Sequence, residues 1–553
     1  MTAVVNRWAG SGVSPGTAVA ASWRADRPLP STPGPADPNQ VEGAFRAVAA
    51  DLERLAGRIR AQGRRAAADI VAVGALIAGD PDLVDAARRA ATAEDPLRAI
   101  HDAVEGYATM LESLPDDTLR ERAADIRQVG RRVLERIART GTSADPPTRF
   151  VLVAAELGPA DLLEHLGQGL VAAVGVRGGA NSHAAIVARS VGIPLVTGVH
   201  PQILDLPDST PLLVDADAGV VLADPPDAEV ARADRVAARA GARRAILRAE
   251  RDRSPVTADG QPFGLLCNVA SDTEIRAGRD SGATGVGLLR TELPFLHAER
   301  WPTESDHRRA LRPILAEASG WPVTVRLLDF ANDKIPPFLI GGVTGLRALL
   351  DHPAALTAQL LAVADLGRAV QLQIMVPMVT AAAELRTVRS AIDAVAAELG
   401  AAPVPVGAMV ETVAAVEAIG ELCAAADFLS IGTNDLTAQL LDLDRTDPRG
   451  RPELTANPRV LALIARVVAA ATAAGRPVSV CGDAGTHPTT LPLLLGAGVR
   501  QFSVACARID ETRYRLHRLD ARDCAKVFAN ALRQPDAAQA AALVHDRIGV
   551  ALP

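Results

Sequence analysis

Apolar residues recur along this chain with two different spacings, and the spacing changes near residue 150. Over residues 41–142 they return every three or four positions, which predicts a series of amphipathic helices. Clusters of Gly, Pro and Asp near 79–81 and 114–117 divide this region into several helices. The same pattern is also typical of a plain helical bundle, and this alternative stays open at this stage.

Short runs of aliphatic and β-branched residues alternate with helical stretches after residue 150, which predicts a compact α/β domain. Residues 10–23 predict a further short strand, entered through a turn, before the helical region. The charged stretch 229–253 predicts a helical linker. The strands predicted for the α/β domain are 150–155, 171–176, 195–196 and 212–215.

From about residue 255 onward, strand and helix patterns alternate many times over roughly 300 residues. Repeated βα units over this length predict a (β/α)8 barrel, an architecture of about 250 residues plus insertions. The clearest predicted strands are 264–269, 323–329, 373–378, 406–411, 428–431 and 478–481.

Composition narrows the class of protein. A length of 553 residues favours two to four domains, and a hydrophobic content of 48% can fill several cores. A net charge of −7 with interspersed signs argues against general nucleic-acid binding. Five cysteines without a Cys-x-x-Cys pair, and no run of about 20 apolar residues, favour a cytoplasmic protein without membrane insertion.

A histidine follows one of the predicted strands through a glycine turn. Gly178 and Gly179 lead to His183, which opens an apolar run that predicts a helix. Free backbone N–H groups and the dipole at a helix start favour an anion, such as a phosphoryl group carried on the ring. For a lone Gly-Gly-x-x-x-His, a solvated or capping histidine is the more common interpretation.

Polar residues stand at the carboxyl ends of the predicted barrel strands, where such barrels place their active sites. Guanidinium groups match phosphate and carboxylate bidentately, and Mg²⁺ takes carboxylate oxygens together with substrate oxygens. Each residue alone has an ordinary structural explanation, whereas the set indicates a site for a phosphorylated acid. Its members are Arg290, Arg326, Asp329, Lys334, Arg347, Glu411, Asn434, Asp435, Arg445 and Cys481.

These motifs carry a family resemblance. The stretch 178–189 resembles the phosphohistidine motif Gly-Gly-x-Thr-Ser-His-x-Ala-Ile-x-Ala-Arg of phosphoenolpyruvate-utilising enzymes. The stretches 288–292, 430–437 and 444–445 closely match barrel motifs of the enzyme I branch of that family, and 121–130 is similar to a helix of its phosphocarrier-binding domain. Only about 180 residues precede the histidine, too few for the ATP-binding region of the synthase and dikinase branches.

The resemblance implies a multidomain α/β fold. Its parts are an α/β phosphohistidine swivelling domain (1–27 and 146–228), an inserted helical phosphocarrier-binding domain (28–145), a linker helix (229–254) and a phosphoenolpyruvate-binding (β/α)8 TIM barrel (255–553). The Pro-rich stretch from Pro28 to Pro38 and the linker helix would be the hinges. Dimerisation through the barrel is expected from the family alone.

The resemblance also implies a role for each residue. His183 would take the phosphoryl group of phosphoenolpyruvate through Nε2, and Cys481 would protonate the enolate to give pyruvate. Mg²⁺ would bind Glu411 and Asp435. The acceptor would be a histidine of the phosphocarrier protein HPr, docking near Arg127. Substrate would be held by Arg290, Arg326, Lys334, Arg347, Asn434 and Arg445.

Three stretches depart from the family pattern. Asn181 replaces a threonine, Ala331-Asn332 replaces two glycines that let the backbone approach a phosphate, and the turn at 79–82 carries fewer acidic residues. These departures leave two alternatives open: a related phosphotransferase that serves a dedicated carrier, and a catalytically weak regulatory paralogue.

Overall fold

A computed structural model shows two compact units, Met1–Ala242 and Arg243–Pro553. It describes residues 6–26, 37–61, 65–92, 95–113, 117–138, 146–180, 182–331, 334–443, 451–549 and 552–553. Within these ranges, no helix combines the length and apolar character that crossing a bilayer requires.

The first unit contains an eight-stranded sheet and five helices inserted between its third and fourth strands. The strand order is β1-β8-β7-β3-β4-β5-β6-β2. The elements are β1 Arg7–Ala9, β2 Ser11–Ser14, β3 Thr17–Arg24, α1 Pro38–Ala61, α2 Arg65–Ala78, α3 Pro81–Ala90, α4 Pro96–Glu112, α5 Asp117–Ile137, β4 Phe150–Glu156, α6 Pro159–Glu164, β5 Leu170–Arg177, α7 His183–Val191, β6 Leu195–Thr197, β7 Pro211–Asp215 and β8 Val220–Ala223. Helix α8 Asp227–Ala249 begins in this unit and ends in the second.

The inserted helices pack against one face of this sheet. Strands β3 and β4 pair in parallel although α1–α5 separate them along the chain. Phe150 and Leu152 of β4 share a core with the helices, whereas Val151 and Val153 belong to a second core on the other face. Burial on both faces explains why β4 and β5 appear as nearly continuous apolar runs in the sequence.

The second unit is a closed barrel of eight parallel strands in the order β10-β11-β12-β13-β14-β15-β16-β9. Its elements are β9 Gly264–Val269, α9 Asp272–Asp280, β10 Val286–Leu289, α10 Glu304–Glu317, β11 Pro322–Arg326, α11 Gly345–Leu350, α12 Pro353–Leu366, β12 Gln371–Val376, α13 Ala382–Glu398, β13 Val406–Val410, α14 Val413–Glu417, α15 Ile419–Ala425, β14 Phe428–Ile431, α16 Thr433–Leu441, α17 Pro458–Ala473, β15 Val478–Val480, α18 Thr490–Gly496, β16 Gln501–Ala505, α19 Ile509–Leu516, α20 Ala521–Ala531 and α21 Ala537–Ile548.

The predicted fold class, an α/β domain with a helical insertion followed by a (β/α)8 barrel, is confirmed. The short strand predicted within 10–23, entered through a turn, corresponds to β3, which follows the turn at Gly16. Strand β2 in the same stretch is an additional strand that the pattern does not predict. Strand β8 has only four residues and β16 is partly polar, and the sequence pattern does not predict either of them. The predicted domain boundaries stay predictions, and residues 28–36 of the predicted hinge lie outside the described residues.

Several barrel strands end earlier than predicted. Strand β11 ends at Arg326 instead of residue 329, and β15 ends at Val480 instead of residue 481. The residues that follow these strands therefore belong to loops at the carboxyl end of the barrel, the end that carries active sites in this architecture.

His307 makes the stability of the barrel sensitive to acid. It is fully buried in α10, packs against Phe295 with ring centroids 5.0 Å apart, and has no hydrogen-bond partner among the described residues for either ring nitrogen. Burial lowers its pKa to about 4. Because the unfolded chain binds this proton more tightly, the neutral ring stabilises the fold fully above pH 6.5, and that stability is lost as the pH falls from 6.5 through 4.

We expect His307→Leu to weaken this dependence. From pH 7 to pH 4 the free energy of unfolding of the wild-type barrel should fall by about 3 kcal/mol more than that of the variant. Calorimetry of the barrel transition at several pH values measures the difference, with the exposed His297 replaced by Leu as a control. Parallel pH profiles for wild type and His307→Leu would contradict the expectation.

Candidate active site

In the first unit, His183 stands at the N-terminus of a helix, as its sequence context predicts. Strand β5 ends at Arg177, and Gly178 adopts a φ of 122°, which only glycine reaches without strain. The Ser182 side chain caps α7 by accepting a hydrogen bond from the Ala185 N–H at 3.2 Å. The loop thereby delivers His183 as the first residue of α7.

Asp125 holds the His183 ring. Its Oδ2 lies 3.0 Å from His183 Nδ1, and the carboxylate is almost completely buried. Arg122 Nη1 approaches the same oxygen at 3.3 Å. Since an ionised carboxylate only accepts hydrogen bonds, His183 donates through Nδ1–H, which leaves a lone pair on Nε2. No spacing along the sequence connects Asp125 with His183, so only the packing of α5 shows this contact.

In the second unit, Glu411 follows β13 among other carboxylates. Its Oε1 accepts the Met378 backbone N–H at 2.7 Å, and a Cβ on Gly432 would lie 2.8 Å from its side chain. Glu411 therefore lies against the start of α16, the helix that carries Asp435 in its first turn. Burial, with the charges of Asp329 and Asp435, raises the pKa of Glu411 to about 8.

A buried charge network surrounds Arg326. Its Nη2 donates to Glu292 at 2.6 Å, and its Nη1 lies 2.9 Å from Asp329. Lys334 Nζ contacts the same Glu292 oxygen at 2.9 Å. Burial alone would lower the pKa of Arg326. The negative charges of Asp329, Glu292 and Glu411 have a larger, opposite effect, so the pKa is raised and the guanidinium stays charged. Three further atoms of this network are buried without a hydrogen-bond partner among the described residues: Arg326 Nε, Glu292 Oε2 and Asp329 Oδ1.

Cys481 follows β15 and is buried, with its Sγ 3.6 Å from the Ile431 carbonyl. Burial raises the pKa of this thiol to about 11, so that it stays protonated at neutral pH. The next residue, Gly482, has no room for a side chain, because a Cβ there would lie 1.9 Å from Thr433 Oγ1. Asn434 fixes the same loop by donating to Asp483 Oδ2 at 2.9 Å.

Not every predicted residue joins this set. Arg290 follows β10 and is exposed, although its charge still influences the Cys481 thiol. Arg347 is exposed over 72% of its side chain and pairs with Asp351 at 3.1 Å, one turn further along the chain. Arg445 lies outside the described residues, as do Asn181 and Asn332.

The carboxylates at the barrel mouth suit a divalent cation that shares its ligands with substrate. Among the described residues no three His, Cys, Asp or Glu side chains form a ready-made metal cage. Mg²⁺, however, is commonly bound by one or two carboxylates together with water and substrate oxygens. Burial, together with repulsion from neighbouring carboxylates, raises the pKa values of Glu411 and Asp329, and Oδ1 of Asp329 is buried without a hydrogen-bond partner among the described residues. Both features fit such a cation.

Three family profiles cover most of the chain. The N-terminal domain of phosphoenolpyruvate-utilising enzymes matches residues 9–122, their mobile domain matches 146–219, and their phosphoenolpyruvate-binding domain matches 244–521. The histidine at the start of α7 and the barrel with its polar mouth fall within the last two matches. Together they define a multidomain protein in which a mobile domain accompanies a barrel. The chain belongs to the family of phosphoenolpyruvate-utilising enzymes.

The relatives are of two kinds. A multiphosphoryl transfer protein of Rhodobacter capsulatus is 38% identical over 421 residues, 74% of this chain and 50% of the relative. One of Xanthomonas campestris pv. campestris is 33% identical over 82% of this chain and 56% of the relative. A phosphoenolpyruvate-protein phosphotransferase of Streptomyces coelicolor is 33% identical over 89% of this chain and 92% of the relative. The chain thus spans about half the length of the multiphosphoryl relatives.

Proposed function

We propose that this protein is a phosphoenolpyruvate-protein phosphotransferase. It transfers the phosphoryl group of phosphoenolpyruvate to His183, releases pyruvate, and passes the group to a histidine of the phosphocarrier protein HPr. The observation that carries the proposal is the His183 ring itself, which lies at the start of α7 with Nδ1 on Asp125 and Nε2 left as the nucleophile.

Phosphoenolpyruvate binds at the mouth of the barrel in this proposal. Arg326 and Arg290 supply fixed positive charge for its phosphate and carboxylate. Glu411 and Asp435 would hold Mg²⁺, which when bound neutralises charge on the phosphate and enolate oxygens. Lys334, Asn434, Arg347 and Arg445 complete the proposed substrate-binding set.

The first half-reaction exchanges one bond at phosphorus for another. The Nε2 lone pair of His183 forms the N–P bond while the P–O bond to the enol oxygen breaks. The enolate carbon then takes the proton of the Cys481 thiol, which gives pyruvate, and the thiolate recovers a proton from solvent. Because Cys481 is buried and its pKa is raised to about 11, it carries that proton at neutral pH.

In the second half-reaction the phosphoryl group leaves Nε2 for the acceptor. One histidine has to serve the barrel and the carrier in turn, which requires a mobile domain. The proposed docking surface is α5 near Arg127, where the guanidinium pairs with Glu105 at 2.9 Å and Glu112 at 2.6 Å. The carboxylates around Arg127 suit a carrier protein whose docking surface is positively charged.

A dedicated carrier is the second candidate acceptor. It is favoured by the relatives named multiphosphoryl transfer proteins, in which the matched region is only about half of the chain. Incubation of the purified protein with Mg²⁺ and ³²P-labelled phosphoenolpyruvate tests the proposal. We expect an acid-labile label that HPr removes. No label would refute the phosphotransferase function, and a label that HPr does not remove would favour the dedicated carrier.

Asp125→Leu should change the tautomer of His183. Without the carboxylate, Nδ1–H loses its acceptor, and the neutral ring is expected to shift toward the Nε2–H form, which is not nucleophilic at Nε2. Loss of a hydrogen bond to a charged group, about 1.5–3 kcal/mol, corresponds to a roughly tenfold to hundredfold slower transfer between His183 and its acceptor. The ¹⁵N chemical shifts of the ring report the tautomer directly.

Asp102→Leu is the matched control, because Asp102 is an exposed carboxylate on the same helical layer. It should leave both the nitrogen shifts and the transfer rate unchanged. An Nδ1–H tautomer that persists in Asp125→Leu would show that Asp125 does not position the ring.

A further inference from the structure

Two thiols lie side by side where the barrel closes. Cys267 is fully buried in β9, and Cys506 directly follows β16 and is partly exposed. These strands pair in parallel with Val504 opposite Cys267 on one face of the sheet, and Cys506 begins the short 3-10 turn that follows β16. Helix α9 covers that face. A Cβ on Gly278 of this helix would lie 2.8 Å from the Cys267 sulfur and 3.7 Å from the Cys506 sulfur.

The two thiols differ in reactivity. The Cys506 thiol lies 3.2 Å from the Glu274 carbonyl and the Cys267 thiol lies 3.3 Å from the Gly285 carbonyl. The adjacent Cys267 lowers the pKa of Cys506, whereas Cys506 and burial raise the pKa of Cys267. The thiolate is the attacking species in disulfide exchange, so Cys506 is the nucleophile and Cys267 the resolving partner. Cys506 also has access to solvent, which a small reagent requires.

The strand end beside this pair supports the proposed active site. Asn268, the neighbour of Cys267, donates from Nδ2 to the Cys481 carbonyl at 3.1 Å and accepts the Ser503 hydroxyl at 2.6 Å. The carbonyl of Val269 accepts the backbone N–H of Arg290 at 2.9 Å. A displacement of β9 at Cys267 therefore reaches the backbone of both Cys481 and Arg290.

We propose that Cys267 and Cys506 form a reversible disulfide in the presence of a low-molecular-weight disulfide, and that this bond slows the reaction at the barrel mouth. The coupling to activity rests on the proposed function, whereas the bond itself does not. Closure brings the sulfur atoms to about 2.05 Å, closer than two thiols approach without bonding, and so pulls β9 and β16 together below α9.

The chemistry balances as two exchange steps. The Cys506 thiolate attacks one sulfur of the small disulfide, forms a mixed disulfide and releases one small thiol. Cys267 then attacks the Cys506 sulfur and releases the second small thiol as the internal bond forms. Two electrons pass from the protein to the small disulfide, and the two protons of the cysteines end on the released thiols.

Oxidised glutathione acting on the full-length native protein tests the bond. Peptide mapping without reduction should show one cross-linked pair, Cys267 with Cys506, which dithiothreitol reverses. Cys506→Ser should abolish the cross-link, and Cys524→Ser, which replaces another buried cysteine, should leave it intact. A glutathione adduct that stays on Cys506 without closing, or no modification of the pair, would overturn the proposal. This mass measurement is valid whether or not the protein uses phosphoenolpyruvate.

Activity measured on the same samples tests the coupling. Oxidation should lower phosphoenolpyruvate turnover by about fivefold or more, the lower range of coupling between linked sites, and reduction should restore it. Cys506→Ser should keep its basal turnover and lose the response. Equal loss of turnover on oxidation in wild type and Cys506→Ser would assign the effect to another thiol and overturn the coupling. A cross-link that leaves turnover unchanged would also overturn it.

Discussion

His183→Ala is expected to abolish formation of the phosphorylated protein. The variant lacks the only group proposed to form the N–P bond, whereas the barrel, in the other compact unit, keeps its charged residues. Removing a nucleophile that works as part of a unit lowers turnover by a factor on the order of 10⁶. Labelling with ³²P-phosphoenolpyruvate, followed by acid treatment that hydrolyses phosphohistidine, measures the effect.

His200→Ala is the control, because His200 is an exposed histidine in the same unit. It should take up as much label as the wild type. Fluorescence or calorimetric titration with phosphoenolpyruvate should show that His183→Ala still binds the substrate. Acid-labile label that survives in His183→Ala would assign the phosphoryl group to another residue.

Cys481→Ala is expected to separate substrate binding from product formation. The variant loses the proton donor to the enolate carbon, and loss of a general acid costs roughly 10²–10⁴-fold in rate. Binding of phosphoenolpyruvate should change little, because Arg326, Glu292 and Lys334 hold one another independently of the thiol. Stopped-flow measurement of pyruvate release, beside equilibrium binding, distinguishes the two effects.

Cys423→Ala provides the comparison, since Cys423 is a buried cysteine on α15 outside the proposed site. It should retain the wild-type rate. Pyruvate release at the wild-type rate in Cys481→Ala would refute the role of the thiol. In the wild type, a pKa raised to about 11 predicts no loss of rate from thiol ionisation between pH 7 and 9.

Local patterns were enough to predict the surroundings of His183. Three contiguous segments surround His183: the apolar run of β5, the glycine loop and the helix-forming residues of α7. Because each is local in the sequence, hydrophobic periodicity and turn-forming residues identify it. The same holds for β9 and β14, whose predicted and observed bounds agree. Where a strand ends was less predictable, because Leu327–Leu328 continue the apolar run of β11 after its ladder has ended.

The partners of the site residues were not predictable in the same way. Asp125 and His183 are separated by a strand, a helix and another strand, and only the packing of the inserted helices on the sheet brings them together. Glu292 likewise connects Arg326 with Lys334 through a contact that no spacing encodes. Arg347 shows the converse, since the family motif assigns it to substrate while its side chain pairs with Asp351.

His183 and the barrel together are expected to carry out a complete half-reaction without any carrier. Exchange of ¹⁴C-pyruvate into phosphoenolpyruvate tests it most directly, because exchange requires reversible formation of the phosphohistidine and no acceptor protein. We predict Mg²⁺-dependent exchange in the wild type and none in His183→Ala. Undiminished exchange in His183→Ala, or no exchange in the wild type, would contradict this half-reaction.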